Sequence, residues 1–414
     1  MKLKSILLAA IAAFSFGPPH AGGQEVAHSV SDQIASLASY QNFIPSCTNP
    51  CPAEETFCGS GQCGDCTQCC RTMDIFGSAE FLLWWAKGTV TPPLVTTSPD
   101  GTPQVDAGVL PDADVLFGQS YLGDEVQAGG RITFGIWLDE ERNVGAAGRF
   151  YGTGGARDTF RRSSDGSPIL ARPFFNTLLD QNDALLIAFD DGATDISDGS
   201  IEASYSNQNF LGAEAYLQIM MEQNHRRRID VIAGYQFMRL DDALQIDSTS
   251  ILRQFGDLEL NIRDRFWTNN EFHGANVGLK AQMARGCWSI EALGKIALGV
   301  TRQEVNISGR TMVGGGPTVE GGLLAQPSNI GTYQRDTFGY IPELTLNLKY
   351  HVTPTLSFHT GYSLIWWSDV VTSGRQIDTG VNLSQPVGDD RPAFAFEDED
   401  YWLQGINFGM NWDF

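Results

Sequence analysis

The feature that most constrains this chain is an alternation of apolar and polar residues with period two, sustained over stretches of about 10 to 15 residues. Across 338–352 every even position is apolar: Phe338, Tyr340, Pro342, Leu344, Leu346, Leu348, Tyr350 and Val352. The odd positions include Glu343, Thr345, Asn347, Lys349 and His351. Stretch 288–300 behaves the same way, with Ser289, Glu291 and Lys295 on its odd face, and 356–366, 211–221, 229–240 and 273–283 follow. Strand side chains alternate between faces, so each stretch reads as an antiparallel strand with one apolar and one polar side. Ordinary strands run to about five or six residues; these lengths suit strands tilted across a bilayer.

The connections sharpen that reading. Short links fall at 139–143, 223–228, 285–286 and 353–354, and long ones at 88–129, 153–209, 241–270, 303–335 and 368–400. Short and long alternate strictly, as in barrels with brief periplasmic turns and long outer loops. Counting from 75–86 gives ten strands. Two more alternating pieces, 184–189 and 200–206, raise the count to twelve if both span. The expected fold is therefore all-β: an antiparallel transmembrane β-barrel of about twelve strands, with ten as the fallback, over 74–414. Its first strand should pair with its last.

Composition removes the competing classes. No apolar run of 18 residues follows the first 20 positions, which excludes a bundle of membrane helices. A formal charge of −22 argues against a nucleic-acid partner, because phosphate is repelled. The polar faces carry Glu80, Glu214, Asp230, Glu291 and Glu343 against Arg131, Arg149, Lys280, Lys295 and Lys349. These ten are the candidate lumen-lining residues of a nearly charge-balanced wall, so the excess negative charge is expected in loops and turns. The opposite faces carry Phe81, Leu83, Trp85, Trp288, Trp366, Trp402 and Trp412, which fit a lipid-facing surface with aromatic girdles.

The two ends carry addresses. Lys2 and Lys4 precede an apolar core at 5–16, then Pro18, Pro19 and small residues at 21–23, the pattern of a cleaved export signal over 1–23. At the other end Ile406, Phe408, Met410, Trp412 and Phe414 share one face, and an aromatic strand ending in Phe resembles the C-terminal assembly signal of outer-membrane barrels. Outer-membrane localisation, with membrane lipid and the barrel-assembly machinery as partners, is the expectation; oligomeric state is open. Between the signal and the barrel, a cysteine-rich segment over 24–73 holds Cys47, Cys51, Cys58, Cys63, Cys66, Cys69 and Cys70. In an exported chain disulfides are their expected fate, ahead of a metal site, and their odd number makes Cys287 a conceivable further partner.

Several segments in order also resemble the beta-barrel porin family of planctomycete bacteria: GSAEFLLWWAKG with PPLVTTSP, GGRITFGIWLD, FLGAEAYL, VIAGYQFMRLDDALQI, RFWTNNEFHGANVGLKAQ, LLAQPSNIGTYQRDTFGYIPEL and WWSDVVTSGRQID. They cover roughly 74–414. One departure is Thr372-Ser373-Gly374, where relatives place an Arg-Pro-Gly turn. The resemblance implies an outer-membrane barrel with a pore function, no catalytic residues and no cofactor.

Chemistry-bearing motifs are otherwise thin. Gly59, Gly61 and Gly64 match a dinucleotide fingerprint without its strand and helix, and Asp190, Asp191, Asp195 and Asp198 miss the calcium-loop spacing. His359 shares a face with Ser357 and Ser363, but on the inner side, where a lipid-cleaving site has no use. The expected function is passive passage of small hydrophilic solutes in a bacterial cell envelope, with weak cation preference, by a non-enzymatic protein without metal or cofactor. A non-conducting structural or adhesive barrel with its lumen plugged by loops such as 314–329 is the alternative, and a barrel enzyme the remote one.

Overall fold

In the computed structural model of the protein the described residues are 74–414, apart from 191–195, 225 and 386. The export signal and the seven clustered cysteines lie outside them. Ten long strands carry the fold: β1 (Ile75–Ala86), β2 (Val126–Trp137), β3 (Val144–Gly154), β4 (Ile196–Gln223), β5 (Arg227–Leu252), β6 (Leu258–Arg285), β7 (Trp288–Val313), β8 (Gly331–His351), β9 (Leu356–Val371) and β10 (Asp398–Asp413). Each pairs antiparallel with its sequence neighbour, and β10 returns to β1. The ring is closed and has no edge to protect at membrane level, the condition for strands in lipid. At the seam the Phe414 amide donates to Ile75 O at 2.8 Å and the Ile75 amide to Phe414 O at 3.1 Å.

Ten is thus the number of the ring; neither of the two further pieces crosses. Residues 184–189 sit in a hairpin of Leu170–Asn176 with Gln181–Asp190. Residues 200–206 are the upper half of β4 itself, separated from its lower half by an irregularity between Asn207 and Asn209. An extra residue on one strand flips the parity of everything beyond it. Below it Phe210, Glu214 and Gln218 face inward, and above it Ile201, Ala203 and Tyr205 do. The parity break makes one strand look like two.

The stretch 241–270 also differs from the loop expected of it. β5 and β6 run on through it as a hairpin that turns at Arg253–Phe255. Along β5 the outward side chains are Ile229, Val231, Ala233, Tyr235 and Phe237, then Arg239, Asp241, Gln245 and Asp247. Inward, Leu244 and Ile246 are fully buried. The apolar face therefore changes sides near Phe237, from lipid to interior, as a strand leaving the bilayer requires. The same crossover occurs on β7 after Val300, where outward Arg302 and Glu304 follow, and on β8 before Phe338, where outward Gln334 and Asp336 stand opposite them.

The C-terminal face is lipid-exposed as its aromatic content demands. Ile406, Phe408 and Met410 are 41%, 47% and 42% exposed, while Trp412 stands opposite Gly77, whose missing Cβ leaves room for the indole. Phe408→Arg is expected to cost about 2–4 kcal/mol of membrane stability, the range for a cation at mid-bilayer on a barrel's lipid face. Folding into vesicles, followed by electrophoretic mobility without heating, would measure it; an unchanged folded fraction would place Phe408 away from lipid.

Candidate functional site

The place where a barrel does its work is its interior, and here the interior is filled in layers. The lowest layers are ionic. Glu80 Oε2 meets Arg131 Nη2 at 2.5 Å across β1 and β2. Arg149 on β3 reaches Glu214 on β4 at 2.6 Å and, across the lumen, Glu343 on β8 at 2.6 Å. Lys295 on β7 reaches the same two carboxylates, at 2.5 and 3.0 Å. This box of two cations and two anions is neutral, and the four side chains are 7%, 2%, 2% and 0% exposed. Residues from β3, β4, β7 and β8 meet because β3–β4 and β7–β8 face one another across a narrow ring. Side chains this long span it, which a polar wall around a wide channel would not allow.

Nearer the periplasmic end, Lys280 and Lys349 share Glu291 at 3.2 and 2.7 Å, and Asp230 takes Arg228 at 2.9 Å and the Gln218 amide at 3.0 Å. All ten charged residues expected in the lumen therefore point inward, and each is ion-paired. Arg149–Glu343 and Lys295–Glu214 cross the lumen, while the other pairs join side chains of the same or adjacent strands. His359 Nδ1 lies 2.9 Å from the Asn411 amide, and Asn407 donates to Glu80 at 3.1 Å, so the polar side chains between the charges are used as well.

Directly above the ionic layers the inward face turns apolar. Toward the outer side come Leu82 and Trp84, Tyr151, Phe210, Met238 and Leu240, Phe272, Ala297, Ile341, Ile365 and Trp367, Tyr401 and Leu403, none more than 4% exposed. Trp84 meets Tyr151 edge-on with ring centroids 6.3 Å apart, and Phe272 meets Trp367 at 6.2 Å. This is a packed core, assembled from all sides of the ring. The parity pattern places these residues inward, yet parity alone does not say whether inward side chains touch.

The outermost layer brings in the connections. Strand Leu170–Asn176 lies between Gln181–Asp190 on one side and parts of Pro93–Thr97 and Gly380–Val381 on the other, and Pro93–Thr97 also pairs Asp114–Gly118. This inner sheet packs Leu94, Val95 and Phe174 against inward Leu244, Ile246, Phe266, Val305 and Ile307. Arg172 Nη2 binds Asp264 Oδ2 at 2.5 Å, both side chains at most 1% exposed. Asp264 also accepts the amides of Leu324 at 3.0 Å and Ala325 at 2.7 Å, which draws part of 314–329 inward.

A second buried carboxylate, Asp242, sits above the lipid band, level with outward Asp241, Asn269 and Glu304. It accepts the Ser373 amide at 3.1 Å, the Ser373 hydroxyl at 2.9 Å and the Thr268 hydroxyl, and so pins the turn Ser373–Gln376. Thr372-Ser373-Gly374 thus supplies an amide and a hydroxyl that a proline at 373 would remove. Burial outweighs these bonds and pushes the Asp242 carboxyl up to about 6, with the Tyr205 and Tyr401 phenols as its titratable neighbours. The folded value exceeds the unfolded one, so the folded state holds the extra proton. The contribution of Asp242 to stability is fully present below about pH 4 and is lost as pH rises through about 6, about 3 kcal/mol in all. Amide exchange of 371–376 is expected to be slower at pH 5 than at pH 8 after correction for intrinsic rates, and Asp242→Asn should flatten that difference. Equal protection at both pH values in the wild type would refute it.

Cys287 is exposed in the turn between β6 and β7 and carries no disulfide among the described residues. Among those residues no cluster of three His, Cys, Asp or Glu side chains is placed to hold a metal ion.

Comparison with known proteins adds an assignment. No curated protein sequence matches the chain. Among solved structures it is similar to the outer membrane protease OmpT from Escherichia coli, at 9% identity and a TM-score of 0.41, covering 83% of this chain and 98% of that one. A FadL homologue from Pseudomonas aeruginosa (7% identity, TM-score 0.24, 83% and 90% covered) and an anion-selective porin from Comamonas acidovorans (10%, 0.19, 83% and 99%) also match. Residues 76–414 match the family described as "Putative beta barrel porin-7 (BBP7)". Closed ring, lipid-facing belt and family match together make this chain an outer-membrane β-barrel that belongs to the beta barrel porin-7 family.

Proposed function

We propose that this protein is a closed outer-membrane barrel that presents a rigid outer platform and does not conduct solutes. The observation that carries the reading is the apolar layer of Trp84, Tyr151, Phe210, Phe272, Trp367 and Tyr401 across the lumen. A hydrated path for ions needs polar groups along its length, and a close-packed apolar layer denies them. Above it the barrel wall continues outside the bilayer on β4–β7, filled by the inner sheet, which suits a structural or adhesive role. The proposal includes export through a cleaved signal at 1–23, the planctomycete source implied by the segment resemblance, assembly-machinery recognition of Ile406 to Phe414, and the absence of enzymatic activity. His351 does hold a serine, Ser289, at 2.8 Å, but that hydroxyl is 2% exposed, inaccessible to a lipid ester.

The porin reading keeps one observation in its favour, the family to which the chain belongs. It requires three layers to rearrange. Liposome swelling with small sugars separates the two readings: the closed barrel leaves permeability at the level of empty vesicles, and size-dependent swelling from natively folded protein would establish a pore instead.

A further inference from the structure

Above the lipid band the wall comes apart between β8 and β9. Their ladder runs from His351–Ser357 up to Glu343–Ile365 and stops there. The next step would need an amide at position 342, and Pro342 has none to give. Beyond it the Tyr340 amide donates to the Ser368 hydroxyl at 3.0 Å, a side chain standing in for a strand carbonyl. β9 then turns into the lumen, with β10 beside it at Val370–Glu399 and Val371–Asp398. Trp367 Nε1 donates to Thr301 on β7 at 3.1 Å, the Asp369 carbonyl accepts from Gln303 on β7 at 2.6 Å, and the Val371 amide donates to Asn270 on β6 at 2.9 Å.

β8 continues upward without β9. From Pro342 to Gly331 it keeps an unbroken register with β7, and among the described residues no strand pairs with its other edge. Its amides alternate in direction: His351 donates to Cys287 O on the β7 side, while Val352 and Tyr340 donate on the β9 side. By that alternation Thr332, Gln334, Asp336 and Phe338 turn both N–H and C=O to the open side, in a row about 20 Å long. Phe338 is the last lipid-facing side chain of β8, so the row lies at and above the membrane surface.

An open strand edge in water is a template for another strand, and the side chains beside this one say which kind. On the inner side Tyr333 stacks on Phe394 with ring centroids 3.7 Å apart, and Arg335 lies over Phe396 at 4.4 Å, all partly buried. On the outer side Asp336 makes no ion pair among the described residues. Arg302, opposite it on β7, donates to Gln334 at 2.9 Å, Gln334 donates to Glu304 at 2.9 Å, and Arg335 is taken by Asp398. Two cations, Arg302 and Arg335, thus stand against three carboxylates, Asp336, Glu304 and Asp398, an excess of one negative charge. From these we infer that the upper edge of β8 docks an extended polypeptide segment of a partner outside the cell. The segment adds antiparallel, with apolar side chains inward, polar ones outward, and a lysine or arginine opposite Asp336. This gives the outer platform of the closed-barrel reading its kind of partner and rests on that reading only for the adhesive role; the edge is present whether or not the lumen conducts.

Fluorescence polarisation of a labelled peptide, acetyl-Thr-Val-Lys-Val-Thr-Val-Thr-amide, with the natively folded full chain in detergent tests it. Saturable binding below about millimolar peptide is expected, and a peptide with Glu in place of Lys should bind at least about tenfold more weakly. Residues opposite one another in a ladder share a face, so the Thr and Lys amides are the ones that turn to β8. Methylating those backbone nitrogens should abolish binding, and methylating the Val nitrogens should preserve it. Asp336→Pro removes a donor that no bond to β7 uses, so the variant should fold and lose at least about tenfold in affinity, about 1.4 kcal/mol. Asp336→Lys should reverse the preference between the Lys and Glu peptides, a decisive result even where the proline variant does not fold. No saturable binding by folded wild type overturns the edge, as does an equal effect of methylating either set of nitrogens. Stepwise conductance from the same preparation would overturn the closed barrel and leave the edge standing.

Discussion

Planar bilayers containing the natively folded full chain are expected to show no stepwise conductance, and removing the outer plug should not change that. Strand Arg157–Ser164 pairs with β4 up to Ser164 opposite Gly199, so a short Gly-Ser turn can replace 165–198 and delete the inner hairpin without breaking the wall. The variant loses Arg172, the partner of Asp264, and Phe174 from the outer core, so its outer barrel should loosen. The apolar layer around Trp84 and Trp367 and the box below it stay in place, because their residues come from the ten strands themselves. The outcome locates the closure. Large conductance steps only in the deletion variant would make the hairpin the sole gate, and steps from the wild type would make the protein a porin. The material must be checked for native mobility first, because a misfolded barrel leaks.

The contrast between wall and filling explains what was legible in the amino-acid sequence. Strand parity, the pairing of sequence neighbours and the inward placement of Glu80, Arg149, Glu214, Lys295 and Glu343 are local or nearly local properties, set by period two and by turn lengths, and the seam between Ile75 and Phe414 follows from closing an even ring. Closure of the lumen is not local. Arg149 and Glu343 are 194 residues apart, and nothing in either strand states how many strands separate them around the ring. The overcount to twelve has two other origins: the irregularity at 207–209 changes parity within one strand, which imitates a strand boundary, and 184–189 alternate inside the inner hairpin, not in the ring. Reading 241–270 as a loop failed for a different reason. Its inward Leu244, Ile246 and Phe266 do alternate, but the apolar side has moved from lipid to core, so a search for a lipid-facing stripe ends at Phe237. The signal available was the phase of the alternation, not its presence.

The box itself supplies the second large effect. Glu343→Gln leaves Arg149 and Lys295 buried with Glu214 as their one carboxylate, an uncompensated charge in a space with 7% or less exposure on every side chain. Breaking a buried ion pair in this way costs about 3–5 kcal/mol, because the orphaned charge remains desolvated. A lower urea midpoint for barrel unfolding, read from the loss of folded electrophoretic mobility, is the expected result. The double variant Glu343→Gln with Lys295→Met removes one charge of each sign and keeps the Arg149–Glu214 pair. It should recover most of the loss, since replacing a buried pair by groups of similar volume is often neutral. The non-additivity of the two changes isolates their coupling, as neighbours in one network require. If Glu343→Gln alone is as stable as the wild type, water reaches Lys295 and Arg149 readily and the lumen is hydrated at mid-membrane. Wild-type stability in that single variant would therefore also remove the ionic box from the barriers that close the barrel, and leave the apolar layer to close it alone.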